Sequence, residues 1–235
     1  MLRRVPARRS AGHARLQGPI VNDLQSAFQG HWIKTFGEAL IGAGQFPAQP
    51  LAGELKAQVV ESHSFSNAPV PMVQAVTFAA AEKRIWLTNP YCTPTDDQVD
   101  LLVKAVQRKV DVRLLLPGPH NDQPLTQSAG RGAYGRMLEG GVRIFEYQPT
   151  MIHTKTMVID GILSLIGSSN FDARSAQINE ELDATIYNRE FGTQMEEVFR
   201  RDLQSAKLYR LEDFEKRSLW ERFSEWVMLP FHSQI

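Results

Sequence analysis

Between positions 153 and 170 the chain carries side chains suited to phosphorus chemistry: His153, Lys155, Asp160, Gly167, Ser168 and Asn170. Cleaving a phosphodiester without a metal needs a nucleophile, an acid for the leaving group, and positive charge on the non-bridging oxygens. An imidazole serves as either of the first two. Lys155 brings charge that a phosphate can use. Ser168 and Asn170 add neutral donors, and Gly167 lets backbone N–H groups approach the oxygens. His153 and Lys155 are two apart, so on a strand they share one face. Asp160 falls at an Asp-Gly turn and is read as structural, placing the turn and pairing with nearby donors. Singly, a His-x-Lys pair or a Gly-Ser-x-Asn turn is common. Together, as His-x-Lys-x4-Asp-x6-Gly-Ser-x-Asn, they fill every fixed position of a long pattern and make one phosphate-binding half-site.

The elements around this pattern have to deliver it to one place. Residues 13–17 alternate weakly, like a short strand, before Gly18-Pro19 breaks the pattern. Val21, Leu24, Phe28, Trp32 and Phe36 recur at helical spacing and predict a helix from Ile20 to about Leu40. A Gly- and Pro-rich linker over 42–69 holds one strand at 57–62. Beyond it the pattern becomes regular. Helices are expected over 70–83, 95–109 and 123–139, and strands over 84–88, 112–116 and 142–147. The section 151–187 reads as strand, turn at Asp160-Gly161, strand, polar loop, strand. Helices at 189–206 and 212–229 follow. Helices alternating with short buried strands imply an α/β fold, a sheet sandwiched by helices. The final helix carries Phe214, Trp220, Phe223 and Trp226. Packing on the sheet is preferred there to a membrane-facing stripe.

Composition sets the outer bounds. The 235 residues are 43% hydrophobic and 22% charged, enough for a real core. With 26 basic and 26 acidic side chains the formal charge is zero, which gives no support to general nucleic-acid binding. The single cysteine, Cys92, excludes an internal disulfide and a cysteine metal cage. No run approaches the roughly 20 apolar residues of a membrane-spanning helix. Arg3, Arg4, Arg8, Arg9 and Arg15 mark a basic N-terminus. It is read as disordered over 1–12, with some attraction to anionic lipid.

The stretch from His153 to Asn170 resembles the signature of the phospholipase D superfamily. Its surroundings resemble the bacterial cardiolipin synthase branch: Asn89-Pro90-Tyr91, the run 110–118, Tyr134-Gly135, 144–148, Phe171-Asp172, Arg174-Ser175, Asn179, Glu181 and 219–222. The likeness covers about 13–228 and is to the second half of that family. It implies a phospholipase D-type mixed β-sheet with one full repeat over 57–235. The tail of a first repeat, an orphaned strand and helix, and a linker would occupy 13–56.

The resemblance also implies a mechanism. Two such motifs normally meet at one site; one histidine forms a phosphohistidine and the other protonates the leaving alcohol. Here there is one. His153 would be nucleophile or general acid, with Lys155, Ser168 and Asn170 holding the phosphate and Gly167 and Tyr91 contacting substrate. His120, after Pro117-Gly118-Pro119, is a weaker candidate for substrate contact. His13, His31, His63 and His232 are read as surface or hydrogen-bonded histidines. Glu181 would orient a histidine across a pseudo-twofold. Its counterpart from the first half should fall near Ala11, where this chain has Ser10-Ala11-Gly12. No metal or cofactor is implied. The expected reaction is transfer of a phosphatidyl group from phosphatidylglycerol, at the cytoplasmic side of a bacterial membrane and without a spanning segment. A homodimer or a separate first-half chain would complete the site. The rivals are a hydrolase of lipid or nucleic acid and a catalytically incomplete half.

Overall fold

The computed structural model describes residues 10–42, 44–63 and 69–218. Its centre is an eight-stranded mixed sheet. In chain order the strands are β1 (Lys56–Ser62), β2 (Arg84–Thr88), β4 (Asp111–Pro117), β5 (Arg143–Tyr147), β6 (Thr156–Ile159), β7 (Leu163–Gly167), β9 (Glu181–Tyr187) and β10 (Ala206–Tyr209). Across the sheet they run β1-β9-β7-β6-β2-β4-β5-β10. The pairs β2–β4 and β4–β5 are parallel; all other neighbours are antiparallel. A separate parallel pair joins β3 (Cys92–Thr93) to β8 (Phe171–Asp172).

The helices are α1 (Ile20–Phe36), α2 (Pro69–Ala80), α3 (Asp96–Gln107), α4 (Pro124–Glu139), α5 (Ala173–Gln177), α6 (Arg189–Leu203) and α7 (Leu211–Glu215). Helices α2, α3 and α4 cover one sheet face, where Phe78, Leu102, Leu114, Leu116, Met137 and Ile144 are fully buried. Helix α6 covers the other, where Phe199 stacks on Trp86 at 5.2 Å over Leu115 and Ile152. Parallel strands buried on both faces need such near-continuous apolar runs, which Leu114–Leu116 supplies. Burying one such side chain contributes about 2 kcal/mol. Local signals start the helices: a reciprocal Thr95–Gln98 capping box opens α3, and the Asn188 side chain accepts from the Phe191 N–H at 2.8 Å to open α6.

The α/β sandwich expected from the sequence is therefore present, with local corrections. Residues 13–17 form no strand. Helix α1 stops at Phe36 rather than near 40, because Gly37 adopts φ 71° and ends the helix in the left-handed region. Helix α6 stops at Leu203, and β10 takes the next residues as an edge strand on β5. The last expected helix breaks at 216–218 after α7, and its aromatics Trp220, Phe223 and Trp226 lie outside the described residues, as do Arg3 to Arg9 and His232. Ser10, inside the stretch expected to be disordered, is paired. It forms a parallel bridge with Ile152, its N–H donating to Met151 O at 2.8 Å and its carbonyl accepting from His153 N–H at 2.7 Å.

Candidate active site

Strand directions bring the motif to one end of the sheet. Because β2 and β6 are antiparallel and Thr88 faces Thr156, the residues after β2 meet those before β6. Strand β7 returns with Ile166 opposite Thr156, and β9 begins with Asp183 opposite Gly167. The loops after β2, β4 and β7, the approach to β6 and the start of β9 thus share one edge. Crevices at the carboxyl ends of strands are where open α/β sheets bind ligands.

His153 and Lys155 lie on extended backbone just before β6, both half-buried. As their spacing predicts, they share a side: Lys155 Nζ is 3.4 Å from His153 Nδ1. An ammonium only donates, so in this pairing Nδ1 accepts and the proton of the neutral ring sits on Nε2. In that tautomer Nε2 is a hydrogen-bond donor and has no lone pair to offer phosphorus. A carboxylate brought to Nδ1 would reverse it and leave Nε2 free to attack phosphorus. Tyr91 meets the same imidazole edge-on, with centroids 5.8 Å apart, and its hydroxyl donates to Asp122 at 2.9 Å.

Gly167 and Ser168 are exposed at the end of β7. The Gly167 N–H donates to the Lys155 carbonyl at 3.3 Å. A side chain at Gly167 would overlap the Asp183 carboxylate and the Leu182 carbonyl, so close strand approach explains the glycine. The Ser168 hydroxyl donates to Glu181 Oε2 at 2.6 Å and accepts from the Leu182 N–H at 2.9 Å. Its proton is therefore committed to Glu181 in this arrangement. Asn170 donates its backbone N–H to Ser175 Oγ at 3.2 Å, while its Oδ1 is buried and has no hydrogen-bond partner.

Beneath this loop lies a polar core. Glu181, 5% exposed, also accepts from Ser175 Oγ at 2.7 Å and Asn179 Nδ2 at 3.1 Å. Asp172 caps α5 by accepting from the Ser175 N–H at 2.6 Å. Burial, aided by the neighbouring Glu181 charge, pushes the Asp172 carboxyl up to about 6 against the Ser175 hydrogen bonds. Burial likewise raises Asp183, which accepts from the Ser169 N–H at 3.3 Å. Phe171, fully buried, meets Phe78 edge-on at 6.1 Å and roots the loop in the core. Asn89 joins the two site loops: its Nδ2 donates to the Ser169 carbonyl at 3.2 Å, and its Oδ1 accepts from the Tyr91 N–H at 3.2 Å.

Not every expected residue joins this edge. Asp160 follows β6 while His153 precedes it, so at ~3.3 Å per residue they stand about 20 Å apart. Asp160 takes φ 55° and accepts from the backbone N–H groups of Glu82, Lys83 and Arg84 at 2.9, 2.8 and 2.8 Å. Burial would raise its carboxyl, but these donors outweigh it and hold the pKa down. His120 is exposed on the loop after β4. Sequence reasoning passed over Asp122 and Asp183. It quoted Asn89, Asp172, Ser175 and Asn179 only as part of a resemblance. Cys92 is buried, and its thiol is pushed well up, first by burial and then by Asp172, so it is no nucleophile.

A family model described as "Cardiolipin synthase, PLD-like domain" matches residues 76–203, more than half of the chain. Cardiolipin synthase 2 of Bacillus anthracis is 31% identical over 216 residues, covering 91% of this chain and 42% of its own length. The minor cardiolipin synthase ClsB of Bacillus subtilis is 30% identical over 216 residues, covering 92% and 52%. The chain thus spans about half the length of these curated relatives. Among solved structures, the phospholipase D family member Nuc of Salmonella typhimurium superposes with a TM-score of 0.57 at 21% identity, over 67% of this chain and 99% of that one. Phosphatidylserine synthase of Haemophilus influenzae gives 0.61 at 14% identity, over 86% and 50%.

Proposed function

The chain belongs to the cardiolipin synthase, PLD-like domain family, and on that premise we propose that it is one half of a phosphatidyltransferase site acting on phosphatidylglycerol. The observation that carries the reading is the convergence of His153, Lys155, Tyr91 and the Gly167–Asn170 loop at one sheet edge. In the reaction, one histidine Nε2 attacks phosphorus and the P–O bond to the departing glycerol breaks. A second histidine gives that alcohol its proton. The acceptor alcohol then returns a proton to the second histidine as its oxygen bonds phosphorus and the P–N bond breaks. Lys155 and the Asn170 amide would stabilise the non-bridging oxygens.

The second motif comes from another repeat, a second copy or a separate chain. The match to 99% of the Nuc chain supports a single-repeat unit. The α1 surface supports a partner: Phe28, Ile33 and Phe36 are 52%, 43% and 59% exposed there. The partner's carboxylate at His153 Nδ1 would accept an N–H there and free Nε2 as the nucleophile. No helix of the described residues is long and apolar enough to cross a membrane, which fits contact with the cytoplasmic leaflet from the side.

The test is product formation from phosphatidylglycerol vesicles by the purified chain and its His153→Ala variant, with solution mass measured in parallel. Product that requires His153, from a dimer, is the expected result. A folded dimer making equal product without His153 would overturn the mechanism. Cleavage of lipid without transfer would make the protein a hydrolase.

A further inference from the structure

Away from the His153 edge, three elements bring together a second group of ligating side chains. His31 comes from α1, His63 follows β1, and Glu180 precedes β9. One ligand atom from each lies within 4.8 Å of the other two. Glu61 borders the group, with its Oε1 3.2 Å from His31 Nε2 and 3.6 Å from His63 Nε2. The other His31 nitrogen, Nδ1, is ion-paired with Glu180 Oε2. The two imidazole centroids are 6.0 Å apart. Side-chain exposures between 24% and 42% leave the group reachable from solvent.

We propose that His31, His63 and Glu180 form a binding site for a divalent transition ion of the zinc type. Two imidazoles and a carboxylate, with water in the fourth position, are a nitrogen–oxygen set of the kind zinc takes in four-coordinate sites. Magnesium and calcium favour oxygen alone and fit it poorly. Zinc bonds of about 2.0–2.2 Å set tetrahedral ligand atoms roughly 3.4 Å apart. Closing from 4.8 Å asks about an ångström of movement from half-exposed side chains. The charge also suits a cation. Two carboxylates flank the imidazoles, and the Lys34 ammonium sits 2.5 Å from Glu180 Oε1. The bound ion would join α1 to the β1 edge beside Glu181, which holds Ser168.

The test is calorimetric titration of tag-free, chelator-treated chain with zinc chloride near pH 7.5, in two buffers of different ionisation heat. Cobalt(II) is added in parallel to read the visible band of a tetrahedral site. Expected are one zinc per chain, no competition from magnesium, and at least tenfold weaker binding in His31→Ala and His63→Ala. Far-UV circular dichroism checks each fold. If His31→Ala loses structure, His63→Gln, just past the end of β1, carries the comparison. No saturable binding by the folded chain, or unchanged binding in the folded His63 variant, would overturn the site. Neither result bears on phosphatidyl transfer, which rests on other residues.

Discussion

Tyr91 holds the imidazole of His153 by a ring edge, 5.8 Å between centroids, from the loop after β2, the strand paired with β6. An aromatic pair of this kind is worth about 1 kcal/mol beyond its buried area. Tyr91→Leu is therefore expected to lower turnover roughly fivefold. Tyr91→Phe keeps the ring contact, loses the Asp122 hydrogen bond, and should retain most turnover. Steady-state transfer assays on the two variants separate ring packing from the hydroxyl; equal loss in both would assign the effect to the hydroxyl instead.

Gly167 offers a purely steric test. Gly167→Ala drives a methyl into the Asp183 carboxylate and the Leu182 carbonyl. Overpacking of this sort costs about 1–3 kcal/mol. The urea midpoint should fall accordingly, and the displaced β7 end should also reduce turnover, since Ser168 and Asn170 follow it directly.

Asp160 should matter for stability and not for chemistry. Its folded pKa is depressed, so its contribution is fully present above the unfolded value near 4 and is lost as pH falls through the lower folded value. Asp160→Ala strands three backbone donors and is expected to cost about 2–3 kcal/mol at neutral pH. The wild-type margin over the variant should shrink below pH 4 in denaturant titrations. Activity per folded molecule should stay unchanged.

Asp172 has the opposite sign. Its folded pKa, about 6, is raised above the unfolded value. The contribution is full below about pH 4 and is lost as pH rises to about 6, on the order of 3 kcal/mol. Asp172→Asn keeps an acceptor for the Ser175 N–H and removes the charge. Its stability curve should be flatter across that window, with a residual slope from Asp183, whose pKa is raised by the same burial. An unchanged slope, followed by urea unfolding from pH 4 to 7, would mean that Asp172 is not the group responsible.

The parts of the fold that depend on local pattern were legible in the sequence. Strand β2 occupies Arg84–Thr88 as its apolar run predicts, and the His153–Lys155 spacing does put both side chains on one side. What escaped depends on partners distant in sequence. Strands β3 and β8 are two residues each and exist only because they pair with one another. β10 alternates too briefly to be told from the end of α6. The Ser168–Glu181–Ser175 network joins hydroxyls to a carboxylate across two strands, and no spacing rule marks it. Asp160, read from its Asp-Gly turn as structural, accepts there from the backbone N–H groups of Glu82, Lys83 and Arg84, partners that the pattern does not name.

The parallel bridge at Ser10 makes the His153 imidazole a reporter of remote chain position. Ser10 grips the backbone on both sides of Ile152, and one of its two hydrogen bonds is to the His153 amide itself. Free energy that seats or unseats this segment is thereby coupled to the orientation of the ring, and the coupling is reciprocal. Phosphorylating His153, or loading its pocket with a phosphate ester, should change amide-exchange protection at residues 11–13, while tension applied upstream of Ser10 should detune the histidine without touching it.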